Sequence, residues 1–113
     1  MPDWSIKIVL TDPDDETSAV TFQPDVVPAA NPGDPLYADP DDIVGWNNRT
    51  PQYHQPWQSD ASFEPLLDGA MTNEIEPWQG STTQFTVAKP ASGNTIFYIC
   101  KEHPTEQGTI IVS

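Results

Sequence analysis

The sequence predicts an all-β protein, a β-sandwich of about six to eight strands with one short helix. Three observations lead there. The 113 residues include 13 prolines, scattered so that no long helix can form, because proline removes a helix hydrogen bond and clashes with the preceding turn. Apolar and polar residues alternate over short runs, the period of a strand with one face buried. Clusters of Pro, Gly, Asn and Asp separate those runs, as turns do between short strands.

The elements follow in order. Trp4, Ile6, Ile8 and Leu10 alternate with Ser5 and Lys7, which reads as a half-buried strand. Residues 11–16 form an acidic turn, and 18–22 a short strand. Pro24, Pro28, Pro32, Gly33, Pro35 and Pro40 make the next stretch an extended loop with one edge strand at most. Residues 42–46 are a strand. A polar run over 47–58 leads into the one predicted helix, about 59–67, with Ser59 or Asp60 as N-cap and Gly69 beyond its end. Strands at 82–87, 95–100 and 108–112 complete the chain, joined by a turn at 89–94 and a loop at 101–107. With no repeat and no flexible linker, residues 1–113 read as one domain, large enough to bury a core without disulfide staples.

Composition narrows the function. Seventeen acidic residues against four basic ones give a net charge of −13. Phosphate binding needs a basic face, so nucleic acid is excluded as a partner. The acidity fits a solvated surface, salty surroundings or a basic protein partner. No apolar run approaches the ~20 residues of a membrane span. The single cysteine cannot form an internal disulfide, and in an exported protein a lone cysteine is flagged as reactive or metal-bound. Nothing resembling a signal peptide precedes Trp4, so the numbering reads as a cytosolic protein or, in preference, a mature exported form with a start Met added back.

The chemistry-bearing residues are few. Cys100 and His103 lie where a predicted strand runs out into a tight loop, and His54 lies in the loop after the 42–46 strand. Together they are all the His and Cys of the chain. A thiolate and two imidazoles with a weak axial position is the arrangement of a mononuclear electron-transfer copper. Cys-x-x-His spacing alone equally describes a buried cysteine near an unrelated surface histidine. The flanking residues discriminate.

The segment Tyr98-Ile-Cys100-Lys-Glu-His103-Pro-Thr-Glu-Gln-Gly108-Thr-Ile-Ile-Val112 resembles the C-terminal signature of cupredoxins. Upstream, Phe22-Gln-Pro24 and Asp42-Ile-Val-Gly-Trp46-Asn47-Asn48, followed by His54, look like that family's Phe-x-Pro and Asp-x-Val-x-Trp-x-Asn…His segments, in the same order. The likeness runs from about Phe22 to Val112. It implies a Greek-key sandwich, one type 1 copper cycling between Cu(I) and Cu(II), and single-electron exchange with a redox partner protein. It also implies that Cys100 binds as thiolate and that His54 and His103 bind as neutral imidazoles.

Two positions depart from the family pattern. Gln55 stands where an Asn usually follows the upstream histidine, so its backbone N–H can still reach the Cys100 sulfur while the side-chain bracing falls to Asn47 or Asn48. The ligand loop is similar to that of amicyanins, which place a Met two residues before the closing Gly. Here that residue is Glu106. Three arrangements stay open: Glu106 coordinates, Glu106 turns to solvent and leaves an axial position for water or nitric oxide, or Gln107 coordinates after a loop shift. Met1 and Met71 do not serve.

The functional readings are therefore an exported electron carrier, an open-site copper centre that binds or converts a small molecule such as nitric oxide, and a copper carrier or metal-free adhesion sandwich. Zinc competes for a Cys, two His and Glu106 set. Weaker features are read blandly. Asn48-Arg49-Thr50 matches a glycosylation sequon by chance. Trp57, Trp78, Pro56 and Pro77 either rim His103 or fill the core, and the acids at 12–16 and 39–42 are solvated turns.

Overall fold

In the computed structural model, which describes residues 3–12 and 14–113, the chain builds nine strands and no helix among those residues. They are β1 (Asp3–Leu10), β2 (Val20–Pro24), β3 (Leu36–Ala38), β4 (Ile43–Asn48), β5 (Pro56–Ser59), β6 (Pro65–Ala70), β7 (Phe85–Thr86), β8 (Thr95–Cys100) and β9 (His103–Val112). One sheet has the order β2-β1-β4-β7 and the other β3-β9-β8-β5-β6. The β1/β4 and β3/β9 pairs are parallel and the remaining pairs antiparallel. The protein is an all-β sandwich of two mixed sheets.

Strand alternation sets the core. Ile6, Ile8 and Leu10 of β1 and Val44 and Trp46 of β4 face Ile96 and Tyr98 of β8 and Ile110 and Val112 of β9 in one buried cluster. Tyr98 is its centre. Its ring meets Phe22 edge-on at 4.8 Å and Trp46 at 5.6 Å. Each such pair contributes about 0.5–1.5 kcal/mol beyond area burial. Gly108 lies directly across from Tyr98 in the β8/β9 pair. A Cβ at that position would fall 2.4 Å from the tyrosine ring, so glycine is what lets the ring lie over β9.

The predicted helix at 59–67 is instead the β5–β6 hairpin. Asp60 does the capping work of an N-cap, but on a turn: its Oδ1 accepts from Ser62 N–H at 2.8 Å and from Glu64 N–H at 3.0 Å. Phe63 adopts φ 61°, and Pro65 has no N–H for a helix and disfavours helical geometry at Glu64. Gly69 is not a helix terminator. A Cβ there would fall 2.5 Å from the Gln58 carbonyl and 2.7 Å from the Trp57 ring.

Three smaller differences have similar local causes. The strand at 82–87 shrinks to Phe85–Thr86, because Thr82 and Thr83 donate their N–H groups to the Asn73 side chain. The loop expected over 101–107 narrows to a turn at 101–102, since β9 already begins at His103. Asp42, read as part of a solvated turn, is buried: its Oδ2 accepts from Trp4 Nε1 at 2.8 Å and Asp39 N–H at 2.9 Å.

Candidate metal centre

Cys100 is the last residue of β8 and His103 the first of β9, paired across a register slip after Ile99. Such a bulge re-aims side chains at a sheet end. It brings Sγ of Cys100 to 3.5 Å from His103 Nδ1. Along β9, Glu106 shares its parity with Gly108, Ile110 and Val112, so its side chain turns to the inner face and is only 11% exposed. Gln107 has the opposite parity and is exposed. The period-two rule of a strand thus separates the two axial candidates.

His54 comes from a different part of the chain. A two-way backbone bridge with Ile75 holds it, with Ile75 N–H donating to the His54 carbonyl at 2.7 Å and the return bond at 3.2 Å. Its ring is fully buried. Nδ1 lies 3.3 Å from Cys100 Sγ and 3.1 Å from Glu106 Oε1. Glu106 Oε1 is also 3.7 Å from His103 Nδ1. The donor atoms of His54, Cys100, His103 and Glu106 all lie within 4.8 Å of one another, the one such group found among the described residues.

The donor set fits a metal ion on two grounds. Soft thiolate with two imidazoles suits a thiophilic transition metal, and the carboxylate adds a harder fourth donor. Moreover, Glu106 Oε1 is buried without a hydrogen-bond partner. A buried acceptor with no donor is costly, and a cation at the centre of this group would satisfy it.

Electrostatics point the same way. Burial pushes the Cys100 thiol up to about 12, and the Glu106 charge adds to the rise, while backbone N–H groups of Gln55, Glu102 and His103 oppose it. Without a cation the site therefore keeps its proton on sulfur. Glu102 Oε2 lies 3.8 Å from that sulfur. Partial burial and the facing Glu74 carboxyl hold Glu102 above the usual carboxylate range.

The surrounding residues complete the frame. The Gln55 N–H opposes the rise of the Cys100 thiol, while its side chain donates to the Thr72 carbonyl at 3.2 Å. Bracing of the ligand loop falls to Asn48, which is fully buried. Lys101 places its ammonium 3.6 Å from the Trp57 ring centroid, pinning the short turn between Cys100 and His103. Pro56, Trp57, Pro77 and Trp78 do not form one rim: Pro56 is buried, and Trp78 lines a separate surface pocket with Val9, Leu10 and Arg49. Thr50, four residues before His54, also belongs to the site, its Oγ1 2.8 Å from His54 Nε2. Its signal was present only as the Asn-x-Thr triplet.

No protein-family model matches the sequence, and no curated protein matches it. Solved structures do. A purple cupredoxin from Nitrosopumilus maritimus superposes with a TM-score of 0.65 over 96% of this chain and 98% of its own, at 16% identity. This chain has the cupredoxin fold. A mutant of amicyanin in its reduced Cu(I) form superposes with a TM-score of 0.50 over 69% of this chain and 68% of its own, at 23% identity. At these identities the likeness is one of fold. Within that fold, the cupredoxin sandwich here places its inward-facing His, Cys and Glu at one end, where β8 turns into β9.

Proposed function

We propose that this cupredoxin-fold chain binds one copper ion through His54, Cys100, His103 and Glu106 and carries single electrons between redox partners. The observation that carries the reading is the convergence of those four donor atoms within 4.8 Å, with Glu106 Oε1 buried and otherwise unpartnered. Bound there, copper supplies one-electron chemistry by passing between Cu(I) and Cu(II). The protein's part is to hold the donors in place. Cys100 is fixed by a strand end, His54 by the Ile75 bridge, and Glu106 by strand parity. Rigid donors keep the geometry similar in both oxidation states, which favours fast electron exchange.

His103, with its side chain 39% exposed, is the ligand nearest solvent and the natural entry point for electrons. The net charge of −13, with Glu74 and Glu102 beside the site, supports a basic redox partner. A lone cysteine committed to a metal suits an exported protein, and among the described residues no helix is long and apolar enough to cross a membrane. The inward set of Glu106 supports a capped carrier over a centre open to water or nitric oxide.

One titration tests the proposal. Adding Cu(II) to the apoprotein should produce an intense visible thiolate-to-copper band that saturates at one equivalent and vanishes in Cys100→Ser. A colourless one-equivalent complex would refute it and favour a zinc-type site. Azide is expected to leave the electron spin resonance spectrum unchanged; a new spectrum would favour the open-site reading.

A further inference from the structure

The structure assigns Thr50 and Asn48 a role as positioning residues that fix which nitrogen of His54 faces the metal centre. The inference deepens the proposed copper site and rests on His54 being one of its ligands. It begins with the orientation of the Asn48 amide. Asn48 Nδ2 points at three backbone carbonyls, those of Gln52 at 2.7 Å, Glu76 at 3.1 Å and Ile75 at 3.4 Å. Only the NH₂ group can serve three acceptors, so the oxygen must face the other way.

That oxygen meets Thr50 twice. It accepts from Thr50 N–H at 3.0 Å, and lies 2.8 Å from Thr50 Oγ1. An amide oxygen cannot donate, so the Thr50 hydroxyl supplies the proton of this contact, which is much shorter than its alternative at the Gln52 carbonyl, 3.4 Å away. Thr50 Oγ1 also lies 2.8 Å from His54 Nε2. With its proton already committed, the hydroxyl can only accept there. Nε2 therefore carries the hydrogen, and Nδ1 is left as an acceptor 3.3 Å from the Cys100 sulfur, which holds a proton when no cation is bound. The opposite set, with the hydroxyl donating to Nε2 and Nδ1–H donating to Glu106 Oε1 at 3.1 Å, would leave the Asn48 and Thr50 oxygens 2.8 Å apart with no proton between them. The Nε2–H form instead leaves Nδ1 to accept from the Cys100 thiol at 3.3 Å.

All three residues are fully buried, so water cannot substitute for a missing link. The chain of donors runs from His54 through Thr50 to Asn48, whose amide is anchored on the two loops that flank His54 and Ile75. This is the outer-shell arrangement that orients a metal-binding imidazole, built here from a threonine hydroxyl and an asparagine. It gives the Asn48-Arg49-Thr50 triplet a physical reason: both polar side chains are consumed inside the protein.

The test is nitrogen-15 NMR of the apoprotein at pH 8, which reads the tautomer without any metal. His54 should be the Nε2–H form. Thr50→Val should yield a mixture of tautomers and weaken Cu(II) binding about 10–100-fold, while Thr50→Ser should restore the tautomer and bring affinity back to within about threefold of wild type. A wild-type Nδ1–H tautomer would overturn the inference, as would a Thr50→Val protein that keeps both tautomer and affinity. If Thr50→Val does not fold, the wild-type spectrum and Thr50→Ser still decide it. Should wild type take up no Cu(II), the copper reading falls, and the tautomer alone judges the positioning role.

Discussion

Metal loading of this site should be coupled to the loss of one proton, and the size of the coupling follows from the burial of Cys100. Thiols bind metals as thiolates. Cys100 is fully buried, and its thiol is pushed from 9.0 up to about 12 by burial, with Glu106 adding to the rise. That difference costs the thiolate about 4 kcal/mol relative to an exposed cysteine. At pH 8 only about one apoprotein molecule in ten thousand holds the thiolate. Every metal ion that binds must therefore displace a proton from sulfur. Between about pH 8 and 9, above the range in which imidazoles ordinarily titrate, apparent affinity should rise about tenfold per pH unit. Zn(II) is the suitable probe, since it cannot oxidise the thiol. Calorimetry in two buffers of different ionisation enthalpy should count about one proton released per zinc. A count near zero, or a thiolate absorbance that rises below pH 9 in the apoprotein, would refute the argument.

The same raised value sets the sign of a stability change. The Cys100 contribution is fully present below pH 9 and is lost as the pH climbs towards 12, so apoprotein stability should fall across that window and Cys100→Ser should flatten the fall. At the other extreme, the Trp4 indole N–H and the Asp39 backbone N–H hold the Asp42 carboxyl below its ordinary value. Its contribution is present above about pH 4 and lost as the pH falls through the depressed value. Asp42→Asn should flatten the acid limb of a stability-versus-pH curve; parallel limbs would contradict the reading. Gly108→Ala forces the Tyr98 ring, 2.4 Å from the new Cβ, into Phe22 and Trp46. Urea denaturation of the apoprotein should show a loss of about 1–3 kcal/mol, and an unchanged midpoint would mean that the ring has room to move.

The parts of this protein that were legible in the sequence are those governed by strand period and by scarcity. Alternation placed β1, β4 and β8 within a residue or two, and the same parity distinguishes Glu106 from Gln107 once β9 is known to start at His103. The chain holds one Cys and two His, so His54, Cys100 and His103 left little else to choose. What was hidden depends on contacts between distant residues or on motifs with two meanings. Asp42 is buried because Trp4, 38 residues away, donates to it. Asp60 carries the signature of a helix cap, and a hairpin turn uses that carboxylate in the same way. Thr50 carries the signature of a sequon, and only the folded loop shows its hydroxyl against His54.

The double meaning of that triplet bears on how the protein can be made. A chain that enters a secretory route equipped for N-linked glycosylation meets the transferase while still unfolded, when Asn48 is as accessible as any other residue. A sugar attached there would replace one of the two amide hydrogens that serve three carbonyls and would have to be accommodated where the fold leaves no exposed surface. Folded, the chain protects itself; unfolded, it carries a site whose modification is incompatible with its own native state. The order of events, burial before modification or the reverse, then decides whether a copper site can form at all.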